Sequence, residues 1–135
     1  NNYQFQEILA IEKLLKFCIA STNLKDLKKV ATTNNILWRV KLNSLNVNLP
    51  EYRCSAGYFF EYDTETIYDM INIVTSKYQT LSYFGFEPNE LFDFFKENSL
   101  FGIDRVVPIG QTTDFSLLWD GYDLPLILTR LINVV

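Results

Sequence analysis

The chain has 135 residues, of which 12 are basic and 16 acidic, so its net charge is −4. An acidic domain is a poor candidate for binding a phosphate backbone, and nucleic acid is therefore not an expected partner. The sequence contains no histidine, which excludes histidine-dependent triads and most zinc sites.

Hydrophobic residues make up 48% of the chain, which is enough for a buried core. No apolar run approaches the length of a membrane span, and the first residues lack the pattern of a signal peptide. We therefore expect a soluble, cytoplasmic protein with a single domain over residues 1–135.

The first half of the chain favours two helices followed by extended segments. Apolar residues recur at helical spacing over residues 3–20, which predicts an amphipathic helix. A second, shorter helix is predicted from Leu24 to Val30, with its lysines on the solvated side. Ile36 to Leu42 can form a strand, and Leu45 to Leu49 alternates as an edge strand or an extended loop does.

From residue 55 onward, short apolar runs alternate with helical patterns. The predicted strands are Ala56–Tyr62, Thr80–Phe84 and Ile103–Val107, and the predicted helices between them are Thr64–Lys77 and Asn89–Asn98. Connections this short demand parallel strands joined by right-handed crossovers.

The expected fold is therefore a three-layer α/β domain with a mainly parallel sheet. Its β-α-β-α-β core begins at about residue 55 and is preceded by one or two helices. The chain is expected to end in a helix from Leu124 to Asn133, with Asp123 as its N-terminal cap and Pro125 in the tolerated first turn.

The loop after the last predicted strand holds the candidate substrate-binding residues. Parallel sheets bind ligands at the carboxyl ends of their strands, and Gln111, Thr112 and Asp120 follow such an end. Asp120-Gly121 is also a strong turn signal, so this loop either binds a substrate or docks Trp119 on the core. Both interpretations stay open.

The two cysteines are expected to be free thiols in a reducing compartment. Cys18 falls on the inner face of the first predicted helix and should belong to the core. Cys54 precedes small residues that would let a ligand come close, but the only positive group near it in sequence is Arg53. A buried structural thiol is the commoner state, and a stand-alone thiol enzyme built on Cys54 is an alternative.

Other side chains allow fewer conclusions. No metal site is expected, because the clustered carboxylates near residue 60 lack metal-ligand spacing. Aromatic side chains at strand and helix spacing line either an acyl pocket or, more commonly, a core. These are Tyr58, Phe59, Phe60, Tyr62, Phe92, Phe94 and Phe95.

Two segments carry a resemblance to a known family. Lys77–Ser82 contains a Tyr-Gln-Thr core, and Gly102–Gly110 reads Gly-Ile-Asp-Arg-Val-Val-Pro-Ile-Gly. Trp119-Asp120-Gly121 and an apolar helix with Arg130 follow. In order and spacing, these parts resemble the C-terminal region of LuxC-type acyl-CoA reductases, fatty-acid reductases of the aldehyde dehydrogenase superfamily. The resemblance runs from about residue 55 to the end.

The resemblance implies an NADPH- or NADH-dependent reduction of an acyl-CoA or acyl thioester to an aldehyde. The family's nucleophilic cysteine lies upstream of the matching region, so neither Cys18 nor Cys54 corresponds to it. The family's cofactor domain is absent, so no cofactor is expected on this chain alone. By superfamily spacing, Glu51 corresponds to a glutamate that contacts the nicotinamide ribose, and Cys54-Ser55 stands where Gly-Pro usually follows.

The chain begins Asn-Asn-Tyr and its only methionine is Met70, which suggests a piece of a longer protein. With the resemblance, the expectation is the C-terminal part of the catalytic half of an oligomeric reductase, inactive by itself. The alternative is a non-catalytic α/β interaction or regulatory domain, whose aromatic surface would be a protein interface.

Overall fold

The computed structural model describes residues 7–24 and 27–134, apart from the side chains of Lys28 and Lys29. The chain divides into two units, Asn1–Ile73 and Val74–Val135, and each is described by itself. Whether these two units form one domain over residues 1–135, as expected from the sequence, stays a prediction.

The first unit combines one long helix with a mixed sheet. In chain order, its elements are α1 (Glu7–Asn23), β1 (Leu27–Thr33), β2 (Leu37–Leu42), a 3₁₀ helix (Leu49–Tyr52), β3 (Tyr58–Glu61) and a second 3₁₀ helix (Ile67–Asn72). The strand order is β1-β2-β3. The β1–β2 pair is antiparallel, with Val30 opposite Val40, and the β2–β3 pair is parallel, with Trp38 opposite Tyr58.

A buried lysine fastens α1 to this sheet. The Lys13 side chain is 1% exposed, and its Nζ donates to the carbonyls of Asn35 (2.8 Å) and Ile36 (2.7 Å). These carbonyls belong to the turn between β1 and β2, where Asn34 and Asn35 have φ angles of 47° and 56°. Two consecutive left-handed residues form the turn whose twist matches a hairpin, so Lys13 ties the helix to that turn.

Alternate residues of β2 face the helix and build the core. Trp38 and Val40 are buried together with Tyr58 of β3, and the Phe17 ring of α1 lies 5.9 Å from the Trp38 ring. The Trp38 and Tyr58 rings are stacked with their centroids 6.4 Å apart. A second cluster lies further along the helix and contains Ala20, Leu24, Leu42 and Leu49.

The second unit is built around one β-α-β unit. In chain order, its elements are β4 (Thr80–Tyr83), α2 (Pro88–Asn98), β5 (Arg105–Pro108), β6 (Leu118–Trp119), β7 (Tyr122–Asp123) and α3 (Leu124–Leu128). β4 and β5 pair in parallel, and β6 and β7 pair antiparallel. α2 buries Leu91 and Phe94, and it ends at Ser99, which has a φ of 46°.

The prediction of a three-layer α/β domain with a mainly parallel sheet is wrong. The described residues form an α+β protein with one mixed three-stranded sheet and two separate two-stranded sheets. The predicted core fails because only β4-α2-β5 is a β-α-β unit. Thr64–Lys77, predicted as a helix, contains only the 3₁₀ helix Ile67–Asn72.

Two local predictions for the first unit are also wrong. The predicted helix Leu24–Val30 is wrong, since Leu27–Thr33 is a strand, and the predicted core residue Cys18 is exposed on α1. The helix start predicted at Tyr3 and the side chains of Lys25, Lys28 and Lys29 lie outside the described residues.

The predicted strands from residue 36 onward, apart from the Leu45–Leu49 edge segment, and the helix over residues 89–98 are confirmed within a few residues. The last helix is shorter than predicted, at Leu124–Leu128, but Asp123 caps it by accepting from the Leu126 N–H at 3.1 Å. Within residues 7–24 and 27–134, no helix is long and apolar enough to cross a membrane.

Gly57 is expected to tolerate no side chain. Its φ is +85°, and a β-carbon there would lie 2.5 Å from the Ile36 carbonyl oxygen, so both strain and collision oppose alanine. We expect Gly57→Ala to lower the free energy of unfolding by about 2–3 kcal/mol, measured by urea denaturation. Gly85→Ala is the control, because its φ is +80° with nothing within 4 Å, and it should cost only about 1 kcal/mol. Equal losses would contradict the collision at Gly57.

Tyr58 should make the stability depend on pH in the alkaline range. Burial raises the pKa of Tyr58 from 10.0 to about 12, and the nearby charge of Cys54 adds to the effect. Between these two values the unfolded chain ionises and the folded chain does not, so the free energy of unfolding should fall as pH rises from 10 to 12. Urea denaturation at several alkaline pH values should show a flatter dependence for Tyr58→Phe, and an unchanged slope would refute this pKa assignment.

Candidate functional site

The carboxyl ends of β4 and β5 lie side by side in the second unit. Because the strands are parallel and pair Tyr83 with Pro108, the loops that follow them leave from the same edge. The Ile109 N–H donates to the Tyr83 carbonyl at 2.9 Å and extends this pairing by one bond. The edge therefore carries the loop with two of the candidate substrate-binding residues, Gln111 and Thr112.

Arg105 shapes this loop from inside the sheet. Its Nη1 donates to the Thr112 carbonyl at 2.6 Å, and its Nη2 donates to the Gln111 carbonyl at 3.2 Å and also to the Asp114 carbonyl. The guanidinium also stacks on Trp119, with Cζ 4.5 Å from the ring centroid. A cation on an aromatic face is stabilised by the ring quadrupole, so Arg105 joins the loop and the β6–β7 hairpin.

The β6–β7 hairpin turns tightly at Asp120-Gly121, where φ is 51° and then 80°. A β-carbon at Gly121 would lie 3.4 Å from the Asp104 carboxylate, so the turn packs closely against the residue before β5. Trp119 is half-buried between Arg105 and the Phe115 ring, whose centroid is 5.3 Å away. The predicted turn is confirmed. Trp119 packs against Arg105 and the exposed Phe115 ring, and both interpretations of the loop, substrate binding and docking of Trp119 on the core, stay predictions.

An apolar groove of about 530 Å³ lies against the other face of this two-stranded sheet. Val106 lines the groove, whereas the neighbouring Arg105 does not, as expected for alternate residues of a strand. Leu91, Phe92 and Phe95 supply the α2 side of the groove, and Asp104 is the acidic residue among those that line it. The groove and the Arg105-bound loop therefore lie on opposite faces of β5.

The predicted site residues fall into both units. The side chains of Gln111 and Thr112 are exposed, while their carbonyls bind Arg105. Asp120 is half-buried in the hairpin turn of the same unit. Glu51 lies in the first unit, exposed on the 3₁₀ helix Leu49–Tyr52, where its N–H donates to the Asn48 carbonyl at 3.0 Å.

The aromatic residues proposed for an acyl pocket also separate. Phe92 and Phe95 line the groove, and Phe94 is buried beneath them. Tyr58 belongs to the core of the first unit, and Phe59 is 54% exposed. Of the aromatic residues proposed for an acyl pocket, Phe92 and Phe95 therefore line this groove, where they are joined by Tyr83 and Phe101.

Sequence reasoning missed Arg105, although a signal was present. An arginine inside the apolar run Ile103–Ile109 must find partners for its five donors if the strand is covered. The loop that begins five residues later supplies three such partners, the carbonyls of Gln111, Thr112 and Asp114. The sequence places Phe92 and Phe95 among the candidates for an acyl pocket, but it carries no signal for the other walls of the groove, which come from β4 and β5.

The cysteines and carboxylates do not form a candidate site among the described residues. Cys54 is half-buried and packs against the cluster of Trp38, Val40 and Tyr58, whereas Cys18 is exposed. Within the described ranges, no three residues of the metal-ligating types are grouped to hold an ion. Comparison with protein-family models, curated proteins and solved structures finds no match for this chain.

Replacing Arg105 should release the loop that it binds. We expect Arg105→Met to lower the free energy of unfolding by about 2–3 kcal/mol, because hydrogen bonds of a charged donor are lost and carbonyls are left without it. Amide exchange at residues 111–114 should accelerate. Arg39→Met is the matched control, since Arg39 forms an exposed ion pair with Glu61 at 2.5 Å. It should destabilise less and leave the loop unchanged; equal exchange rates in both variants would contradict the role of Arg105.

Proposed function

We propose that this chain is the C-terminal portion of the catalytic half of a cytoplasmic, NAD(P)H-dependent acyl-CoA reductase that makes fatty aldehyde. The observation that carries the proposal is that the two segments resembling LuxC-type reductases are bonded to each other. The Gln79 carbonyl of the first segment accepts from the N–H groups of Asp104 (2.9 Å) and Arg105 (3.2 Å) of the second. The resemblance thus rests on residues of one structural unit.

The later parts of the region that resembles LuxC-type reductases contact the same two segments. Arg105 binds the loop after its own strand and stacks on Trp119. Gly121 lies two residues after Trp119 and packs on the Asp104 carboxylate. The segments that resemble the family therefore form one contact network within the second unit.

The groove supports an acyl substrate. Its volume of about 530 Å³ falls in the range of small-molecule sites, and side chains such as Leu91, Phe92 and Val106 give it a mainly apolar lining. An aliphatic chain loses unfavourable contact with water when it enters such a groove. The described lining of the groove includes no lysine or arginine to bind the phosphates of a CoA, so the acyl chain of the substrate is the portion that fits.

The proposed reaction proceeds through a cysteine upstream of this chain. That thiol would attack the acyl-CoA carbonyl, form a protein thioester and release CoA as a thiol. A bound NADPH or NADH would supply the hydride for reducing that thioester to the aldehyde. In this scheme the groove of the second unit binds the acyl chain, and the Gln111–Thr112 loop at the carboxyl edge of β5 contacts the thioester end of the substrate.

The test is an assay of the full-length protein with acyl-CoA and NADPH. We expect acyl-CoA-dependent loss of absorbance at 340 nm, with free CoA and aldehyde appearing in equal amounts. Thr112→Ala should raise the KM for acyl-CoA about threefold to tenfold, the effect of losing one hydrogen bond. Asn89→Ala, an exposed polar change on α2, is the control and should leave KM unchanged.

A protein that shows no acyl-CoA-dependent NADPH or NADH oxidation would refute the reductase. An unchanged KM in Thr112→Ala with full activity would refute only the role of the loop. The two results are therefore distinguishable.

A second candidate is a non-catalytic interaction or regulatory domain. It is favoured by exposed apolar side chains near the C-terminus, where Leu126 is 73% and Leu131 is 99% exposed. Surfaces this apolar usually contact another chain, which in the reductase would be a second copy of the protein. The interaction domain predicts no NADPH oxidation and no stabilisation by acyl-CoA, which the same assay and a thermal shift measurement decide.

A further inference from the structure

The apolar groove of the second unit runs along its whole β-α-β unit. Tyr83, the last residue of β4, and Pro88, the first residue of α2, line one end of the groove. Ser99 and Asp104, which lie between α2 and β5, line the other end. Because β4 and β5 are parallel, the first end lies at the carboxyl edge of the sheet and the second at its amino edge.

The strands set the length of this groove. Pro108 is opposite Tyr83, and from Asp104 to Pro108 the strand advances by four residues. At about 3.3 Å for each residue, the groove is about 13 Å long. The α2 helix has 11 residues and a length of about 16 Å, so it covers this distance completely.

The lining of the groove is apolar until it reaches the amino edge. Leu91 is buried beneath the groove, whereas Phe92 and Phe101 also line it and are 67% and 87% exposed. Exposed aromatic surface is stabilised when an apolar chain covers it. At the amino edge, Ser99 and Asp104 are polar and exposed, so the apolar lining ends there.

We infer that this groove selects acyl chains by their length and holds about ten methylene groups, with Phe101 as the residue that contacts the far end of the chain. An extended chain advances by about 1.3 Å for each carbon–carbon bond of about 1.5 Å, so about ten methylene groups fill about 13 Å. A longer chain passes the amino edge into water and gains no further contact. The substrate class is therefore a medium-chain acyl group.

This inference rests on the proposed function in one respect. The direction of the chain follows from the Gln111–Thr112 loop, which in the reductase scheme holds the thioester end at the carboxyl edge. The far end of the chain then lies beside Phe101 at the amino edge. Phe101 thus determines specificity and takes no part in the chemical step.

The test is the binding of saturated fatty acids, from octanoate to octadecanoate, to the full chain. Binding is measured by displacement of a fluorescent fatty acid and needs no cofactor. We expect the dissociation constant to fall about twofold to fourfold for each added methylene, where fourfold corresponds to full burial. It should level off at about dodecanoate, which has filled the groove.

Two phenylalanine variants separate the groove from the rest of the surface. Phe101→Ala should weaken the binding of dodecanoate about fourfold to fifteenfold, which equals the contact of one or two methylene groups. Octanoate should bind as before, because it does not reach Phe101. Phe84→Ala is the matched control, since Phe84 is 84% exposed directly after β4 and does not line the groove. It should change the binding of neither acid.

An affinity that rises steadily to octadecanoate, an unchanged dodecanoate affinity in Phe101→Ala, or an equal loss in Phe84→Ala would each overturn the inference. Binding as expected, in a full-length protein that oxidises no NADPH or NADH with acyl-CoA, would refute the reductase and leave the length selection in place. Acyl-CoA reduction whose chain-length preference is the same in Phe101→Ala would refute the length selection alone.

Discussion

The second unit depends on the guanidinium of Arg105, which donates its hydrogen bonds to backbone carbonyls. Arg105 binds three carbonyls of residues 111–114 and stacks on Trp119, and no ion pair is described for it. Carboxylate partners would have come from side chains and left the loop free to vary. Carbonyl partners fix the path of the chain itself, so one residue of β5 determines both the loop after its strand and the hairpin beyond. A two-stranded parallel sheet is too small to do this alone.

The parts of this unit that could be predicted are those with local signals. Pro88 at the helix start and the Glu87 N–H to Glu90 carboxylate bond at 3.4 Å mark the beginning of α2. The Asp120-Gly121 turn and the Asp123 cap are also signals within a few residues. The Arg105 contacts and the groove join residues that are distant in sequence, and no pattern in the chain ranks such partners.

The first unit shows how local signals mislead. Leu24, Leu27 and Val30 recur at helical spacing, but pairing with β2 overrides this pattern, and the left-handed Asn34-Asn35 turn makes the hairpin possible. The Asn34-Asn35 pair is itself a hairpin signal, because asparagine tolerates the left-handed conformation that such a turn requires. The strand forms instead of the helix because pairing with β2 satisfies the backbone N–H and C=O groups along one side of β1.

The segment after β3 failed as a helix for a different reason. Thr64 donates to the Thr66 carbonyl at 2.9 Å and to the Asp69 carboxylate at 2.5 Å, and the Thr66 hydroxyl accepts from the Tyr68 N–H at 3.3 Å. Such side-chain bonds compete with the helical ladder and favour turns. Threonines that look like a helix start therefore hold a short 3₁₀ turn, and the crossover needed for a continuous parallel core is lost.

The residues that carry the family resemblance have mainly architectural contacts. Gln79 acts through its carbonyl, Arg105 through bonds to the loop, and Gly121 through close packing on Asp104. A resemblance built on such residues informs the folding of the second unit more directly than its chemistry. In this region, the side chains of Gln111 and Thr112 face solvent while their carbonyls are held from behind. If the unit contacts a substrate at that edge, those side chains are the ones that can vary without disturbing the scaffold.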